Sequence, residues 1–195
     1  MDTAAGTQLF IHLRILMGTV VGLGLARLLI GFAGIIQHPG RSKLYLPHLV
    51  WAAAMLLTLV HFWWWEFALI QVPHWTFGAF LFLIAYSTTL FLICALLFPD
   101  SLAEYDGYEG FFLTRRAWFF GLFGLTIVFD IFDSAIKGPN YFAGFGLEYW
   151  IEVPLGLALC IVGMITRRTP IQLALALVQI GYQISWVVRL FYSPV

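Results

Sequence analysis

The chain has 195 residues, of which 62% are hydrophobic and only 10% are charged, and ten basic residues balance ten acidic ones. A soluble domain carries about 25% charged residues, so this composition excludes an ordinary water-soluble globular protein. The zero net charge gives no reason to expect a nucleic acid as partner. Both cysteines, Cys94 and Cys160, lie within apolar runs, and we expect packing residues rather than a disulfide.

Long apolar runs separated by short polar breaks dominate the sequence. A helix that crosses a bilayer needs about 20 mostly apolar residues, and the breaks contain the prolines and glycines that end helices. The sequence therefore predicts an all-α, polytopic transmembrane helix bundle that forms one domain. Its six predicted spans are residues 11–36, 45–70, 75–98, 118–136, 148–166 and 171–192.

Basic residues are distributed unequally between the two predicted ends of the bundle. One end carries three of them, Arg14, Lys137 and Arg189. The other end, formed by breaks one, three and five, carries six: Arg41, Lys43, Arg115, Arg116, Arg167 and Arg168. Cytoplasmic loops of membrane proteins are enriched in Lys and Arg. The bias predicts that breaks one, three and five are cytoplasmic and that both termini lie outside.

Small residues recur along the first span. Gly18, Gly22 and Ala26 are spaced by four residues, and Gly24 and Gly31 form a second stripe. Small side chains let helices approach closely in a membrane. We expect the first stripe to contact another helix of the same chain, with a second copy or a membrane partner as the alternative.

Charged residues inside a span are costly and usually face the bundle. Arg27 is the deepest cation of the first span, and two alternatives stay open for it: a pair with Asp130, or a side chain that extends to the inner interface. Asp133 and Lys137 lie one turn apart on the fourth span and predict an interfacial salt bridge.

The predicted outer half of the bundle holds a group of carboxylates. The predicted topology places five of them in this half: Glu66, Asp130, Asp133, Glu148 and Glu152. Neighbouring carboxylates repel each other when ionised, and a group of them is therefore suited to binding a proton or a cation. Solvated helix ends are the alternative for Glu66, Asp133 and Glu148, whereas Asp130 and Glu152 are the least explained by neighbours in sequence. The candidate binding residues are Asp130, Glu152, Glu66, Arg27 and His61.

Signatures of catalysis and of cofactors are not found in the sequence. Phosphate-binding glycine loops, serine nucleophile elbows and zinc-protease motifs do not occur. His61, Glu66, Asp130 and Glu152 have acceptable metal-ligand types, but their spacing matches no metal signature. We therefore predict no metal and no cofactor. The polar segment 99–117 is expected to be a loop with a short interfacial helix.

Several segments resemble uncharacterised bacterial multi-pass membrane proteins. They are HFWWWEF at 61–67, LLFPD at 96–100, FFLTRRAWFFGLF at 111–123 and DIFD at 130–133. The resemblance covers roughly residues 45–135 of the chain. It implies a bacterial cytoplasmic (inner) membrane and carries no activity with it.

Three functions remain open from the sequence. The leading hypothesis is a small transporter or channel-like protein with an acidic proton or cation site in its outer half. The first alternative is a non-catalytic structural or interaction subunit of a membrane complex, docking through the glycine stripe or through the loop 99–117. The second is a membrane-embedded enzyme or redox protein, which the absence of catalytic motifs disfavours.

Overall fold

The computed structural model describes residues 3–72, 74–144 and 146–191, and within these ranges all regular structure is helical. The helices are α1 (Thr3–Gln37), α2 (Leu46–Trp65), α3 (Phe77–Ala95), α4 (Gly107–Lys137), α5 (Pro139–Ala143), α6 (Leu147–Ile165) and α7 (Thr169–Phe191). A 3₁₀ segment, Glu66–Gln71, continues α2. Six helices are long and apolar enough to cross a membrane: all except α5, with the 3₁₀ segment counted as part of α2. The prediction of an all-α bundle with six such helices is confirmed.

The fourth span begins earlier than predicted. Helix α4 starts at Gly107, so the predicted loop 99–117 is helical from that residue onward. The reason is packing, since Phe112 belongs to the buried core rather than to an interface. The loop ends where the Tyr108 N–H donates to the Lys43 carbonyl at 3.1 Å. Gly107 has a φ of +70°, and a Cβ there would lie 2.8 Å from that carbonyl oxygen, so the turn requires glycine.

The other boundaries agree with the predicted spans except at the two ends of the chain. Helix α1 begins at Thr3 rather than at residue 11. The predicted end of the last span, residue 192, lies outside the described residues. Successive long helices alternate in direction. The bundle therefore has a basic end, at the α1–α2, α3–α4 and α6–α7 connections, and a carboxylate end opposite, where α4 finishes and α6 begins.

Aromatic side chains fill the centre of the bundle. Helix α1 packs on α3, α2 on α7, and α4 on both α3 and α6. The Trp51 ring on α2 meets Phe119, Phe120 and Phe123 of α4 edge to face, with ring centroids 5.1–5.3 Å apart. Such pairs stabilise packing beyond the area they bury. They fix the height of α4 relative to α2, which matters because both helices contribute to the site below.

Glycines sit where aromatic rings meet a neighbouring helix. A Cβ at Gly163 would lie 2.5 Å from the Phe120 ring, and a Cβ at Gly31 would overlap the Phe98 ring. Gly18 faces Trp63 in the same way. The expected contact through Gly18, Gly22 and Ala26 is wrong beyond Gly18. No atom of a neighbouring helix lies within 4 Å of a Cβ at Gly22, and Ala26 is exposed, because both residues lie on the side of α1 that faces away from the bundle.

We predict that Gly163→Ala destabilises the bundle and that Gly22→Ala does not. Overpacking a filled contact costs about 1–3 kcal/mol, whereas a methyl group at Gly22 meets open space. Thermal unfolding of the purified variants in one detergent measures the difference. Equal melting of Gly163→Ala and Gly22→Ala would contradict the packing described.

Candidate functional site

A cluster of three charged side chains lies buried at the carboxylate end of the bundle. The Lys137 ammonium donates to Glu66 Oε1 at 3.0 Å and to Asp133 Oδ2. The side chains of Lys137 and Asp133 are each 2% exposed and that of Glu66 is 7% exposed. Because all three lie in helices long enough to cross a membrane, we treat this group, the Glu66–Asp133–Lys137 cluster, as the candidate site.

Local structure explains how the three residues meet. Asp133 and Lys137 are one helical turn apart at the end of α4, where a cation also interacts favourably with the helix dipole. Helix α2 tightens into the 3₁₀ segment at Glu66, and that segment packs on α4. Helix α4 then stops at Gly138, whose φ of +112° turns the chain away. The predicted salt bridge is therefore present, but it is buried and shared with Glu66 rather than interfacial.

The cluster is short of one positive charge or one proton. Glu66 Oε2 and Asp133 Oδ1 are both buried without a hydrogen-bond partner. Because both carboxyl groups contact the same Lys137 ammonium, they are neighbours in the bundle. With all three groups ionised, the cluster would carry a net charge of −1 in a place with little water, which is costly. A single bound proton would remove that charge and supply the missing donor.

A small cavity borders Glu66 on the side of α1. Its volume is about 10 Å³, which is close to the space that one water molecule occupies. The Arg14 guanidinium lies at this cavity, 4.4 Å from the centre of the Phe67 ring. The remaining lining residues are Phe10, Leu13, Met17, Trp63 and Leu69. Water entering here from the α1 side would reach Glu66.

Two further carboxylates flank the cluster, and each is bound by a tyrosine from another helix. Tyr149 on α6 donates to Asp130 Oδ2 at 3.0 Å. Tyr182 on α7 donates to Glu152 Oε2 at 2.6 Å. Asp130 lies one turn before Asp133 on α4, and both Asp130 and Glu152 are half-buried. The two residues that lacked a partner near them in sequence thus have one across the bundle.

Arg27 is placed far from Asp130. Its guanidinium pairs with Asp100 at 2.5 Å, and the Asp100 side chain is 90% exposed. The pairing with Asp130 is therefore wrong. The reason is helix direction: α1 and α3 run parallel, so Arg27 and the residue after α3 share the basic end, whereas Asp130 lies near the other end of α4. Of the two alternatives, extension towards the end of the bundle is the one observed.

Glu148 and His61 have different surroundings. Glu148 is exposed and accepts two hydrogen bonds from Arg189, at 2.8 and 2.9 Å, so it is the solvated helix end that was one alternative. The same alternative is wrong for Glu66 and Asp133, which are buried. His61 is buried beside Trp65, and its Nε2 has no partner.

Neither metal ligation nor similarity to known proteins identifies the site. Among the described residues, no group of three or more His, Cys, Asp or Glu side chains is arranged to hold a metal ion. Both cysteines are buried and unpaired with each other. Comparison with protein-family models, curated proteins and solved structures finds no match. The function is therefore argued from the Glu66–Asp133–Lys137 cluster itself.

We predict that Lys137→Met strongly destabilises the fold. Removing the only cation of a buried group leaves two carboxylates facing each other, and breaking such a pair costs about 3–5 kcal/mol. The matched control is Arg189→Met, which removes an exposed partner of Glu148 and should change stability much less. Thermal unfolding in detergent compares the two.

The triple variant Lys137→Met, Glu66→Gln, Asp133→Asn separates lost charge balance from lost packing. It should recover much of the stability, because no buried charge then remains. Equal melting of Lys137→Met and Arg189→Met, or no recovery in the triple variant, would contradict the electrostatic account.

Proposed function

We propose that this protein is a small proton-coupled transporter of the bacterial cytoplasmic membrane, and that Glu66, Asp133 and Lys137 form its proton-binding site. One observation carries the proposal: two carboxyl groups share one ammonium group within helices long and apolar enough to cross a membrane, and each keeps one oxygen without a partner. Ionisable residues at such positions are costly and usually serve a function.

Charge balance gives the cluster two states. With one proton bound between Glu66 and Asp133, the group is neutral and every buried oxygen can be satisfied, so the closed packing is favoured. After the proton leaves, the net negative charge needs water or a cation nearby. Release of the proton therefore favours an arrangement in which the cluster is hydrated, and this difference can be coupled to the movement of a substrate.

Neighbouring polar groups offer routes for the proton. On one side, the cavity beside Arg14 and Glu66 has space for about one water molecule. On the other side, Asp130 with Tyr149 and Glu152 with Tyr182 extend the set of donors and acceptors to half-exposed positions. Carboxyl and phenol groups can pass a proton between them when hydrogen-bonded. In this proposal Asp130 and Glu152 are relay groups that water connects to the cluster, rather than the primary site.

A structural or interaction subunit is the second candidate. It is favoured by the small-residue face of α1, where Gly22 has open space around it and Ala26 is exposed. Such a face suits contact with a helix of another membrane protein. The two candidates differ in one requirement: a transporter needs a group in the cluster that gains and loses a proton, whereas a subunit needs only the packing.

We predict that infrared spectroscopy at pH 7 detects a protonated carboxyl C=O band that belongs to the cluster, since isolated Asp and Glu side chains are ionised there. Each single variant, Glu66→Gln or Asp133→Asn, should remove the band. The one carboxylate that remains is then balanced by Lys137 without a proton. Loss of the band in both variants would show that the proton is bound because two carboxyl groups face one ammonium group, and not because of the surroundings of a single residue.

Glu148→Gln is the matched control, because Glu148 lies at the same end of the bundle but is exposed and paired with Arg189. It should leave the band unchanged. A parent protein without the band, or a band that survives both cluster substitutions, would remove the basis for proton coupling and favour the subunit.

We further propose that the carboxylate end and both termini face the outside of the cell, on the six-to-three distribution of basic residues between the ends. In a background with Cys94 and Cys160 replaced by Ala, we predict that a cysteine at position 3 is labelled by an impermeant maleimide in intact cells. A cysteine at position 104, on the basic end, should be labelled only after lysis. The reverse pattern would overturn this orientation.

A further inference from the structure

An apolar groove lies on the surface between α4 and α6. It has a volume of about 310 Å³ and is lined by Ala117, Trp118, Gly121, Leu122 and Met164. The Trp118 side chain at the edge of the groove is two-thirds exposed. Because α4 and α6 are both long enough to cross a membrane, this groove is open to the hydrocarbon of the bilayer.

Three arginines stand at one end of this groove. Met164 lies close to Gly121, with its Cε 3.9 Å from a Cβ placed on that glycine. Helices α4 and α6 are antiparallel, so the residues before Ala117 and the residues after Met164 lie at the same end. The three are Arg115 on α4, and Arg167 and Arg168 at the α6–α7 connection.

These arginines form no salt bridge among the residues that the structure describes. Four other basic residues, Arg27, Lys43, Lys137 and Arg189, form ion pairs. By contrast, Arg115 donates to the Tyr105 hydroxyl at 3.1 Å. Glu109, an acid at the same end, accepts a hydrogen bond from Thr169.

A guanidinium offers donors in a planar fork that matches a phosphate group. An apolar groove that ends in several such groups therefore has two chemically distinct halves, one for hydrocarbon and one for a phosphate.

We propose that this groove binds an anionic phospholipid, with an acyl chain along Gly121 and Met164 and the phosphate among Arg115, Arg167 and Arg168. Basic pockets beside membrane helices are suited to anionic headgroups. A second copy of the chain is a poorer occupant, because a two-fold contact would bring the same three cations together. This site is separate from the Glu66–Asp133–Lys137 cluster, which lies at the opposite end of α4.

The test compares phosphatidylglycerol with phosphatidylcholine of identical chains, added to the protein in a non-ionic detergent. Native mass spectrometry reads the bound lipid, and we expect preferential retention of phosphatidylglycerol. Each arginine near an anionic headgroup strengthens binding by about fivefold. The variant Arg167→Gln, Arg168→Gln should therefore weaken phosphatidylglycerol binding by roughly 25-fold and leave phosphatidylcholine binding unchanged.

Two controls make the result specific to the groove. Arg41→Gln removes an exposed cation at the basic end, on the α1–α2 connection, and should not change the lipid preference. Gly121→Leu fills the groove and should weaken binding while the arginines remain. Equal binding of the two lipids, or an equal loss in Arg41→Gln, would overturn the proposal. Competition by millimolar inorganic phosphate as strong as that by the lipid would also overturn it, since the groove would then contribute nothing.

Discussion

The ion pairs of Lys137 with Glu66 and Asp133 impose the main constraint on this bundle. They join the end of α4 to the 3₁₀ segment that follows α2. A buried ion pair contributes little net stability, but an unbalanced one is strongly destabilising. The packing around the cluster must therefore keep three ionisable side chains in contact through Lys137. If a motion separates them, water, a cation or a proton has to replace the lost partner.

The aromatic core couples any separation of the cluster residues to movement of the whole of helix α4. Trp51 contacts three phenylalanines of α4, and Gly163 lets Phe120 approach α6 closely. Because interiors are closely packed, α4 cannot shift past α2 without moving these rings. A change of charge at the end of α4 is thereby linked to the position of the whole helix. This link is what a proton-coupled mechanism requires, and it arises from packing well away from the cluster.

The sequence predicts the parts of this structure that depend on local spacing. Apolar length alone predicts the six candidate spans, and a separation of four residues predicts the Asp133–Lys137 pair. Local spacing does not predict which residues of different helices contact each other. Glu66 and Lys137 are 71 residues apart, and the tyrosines that bind Asp130 and Glu152 come from other helices. The stripe of Gly18, Gly22 and Ala26 shows that small residues share a face, but spacing does not tell which face meets a neighbour. The two alternatives for Arg27 stay undecided in the sequence for a related reason, since the depth of a residue in its helix does not tell which helix lies beside α1.

The proposed proton coupling depends on one proton shared between Glu66 and Asp133 beside a charged Lys137. Solid-state NMR of the protein in lipid bilayers at neutral pH, with labelled carboxyl and amine groups, measures all three charge states at once. The account predicts a charged Lys137 amine, with the Glu66 and Asp133 carboxyl shifts displaced together towards the protonated value. Two fully ionised carboxylates, or a neutral Lys137 amine, would contradict it.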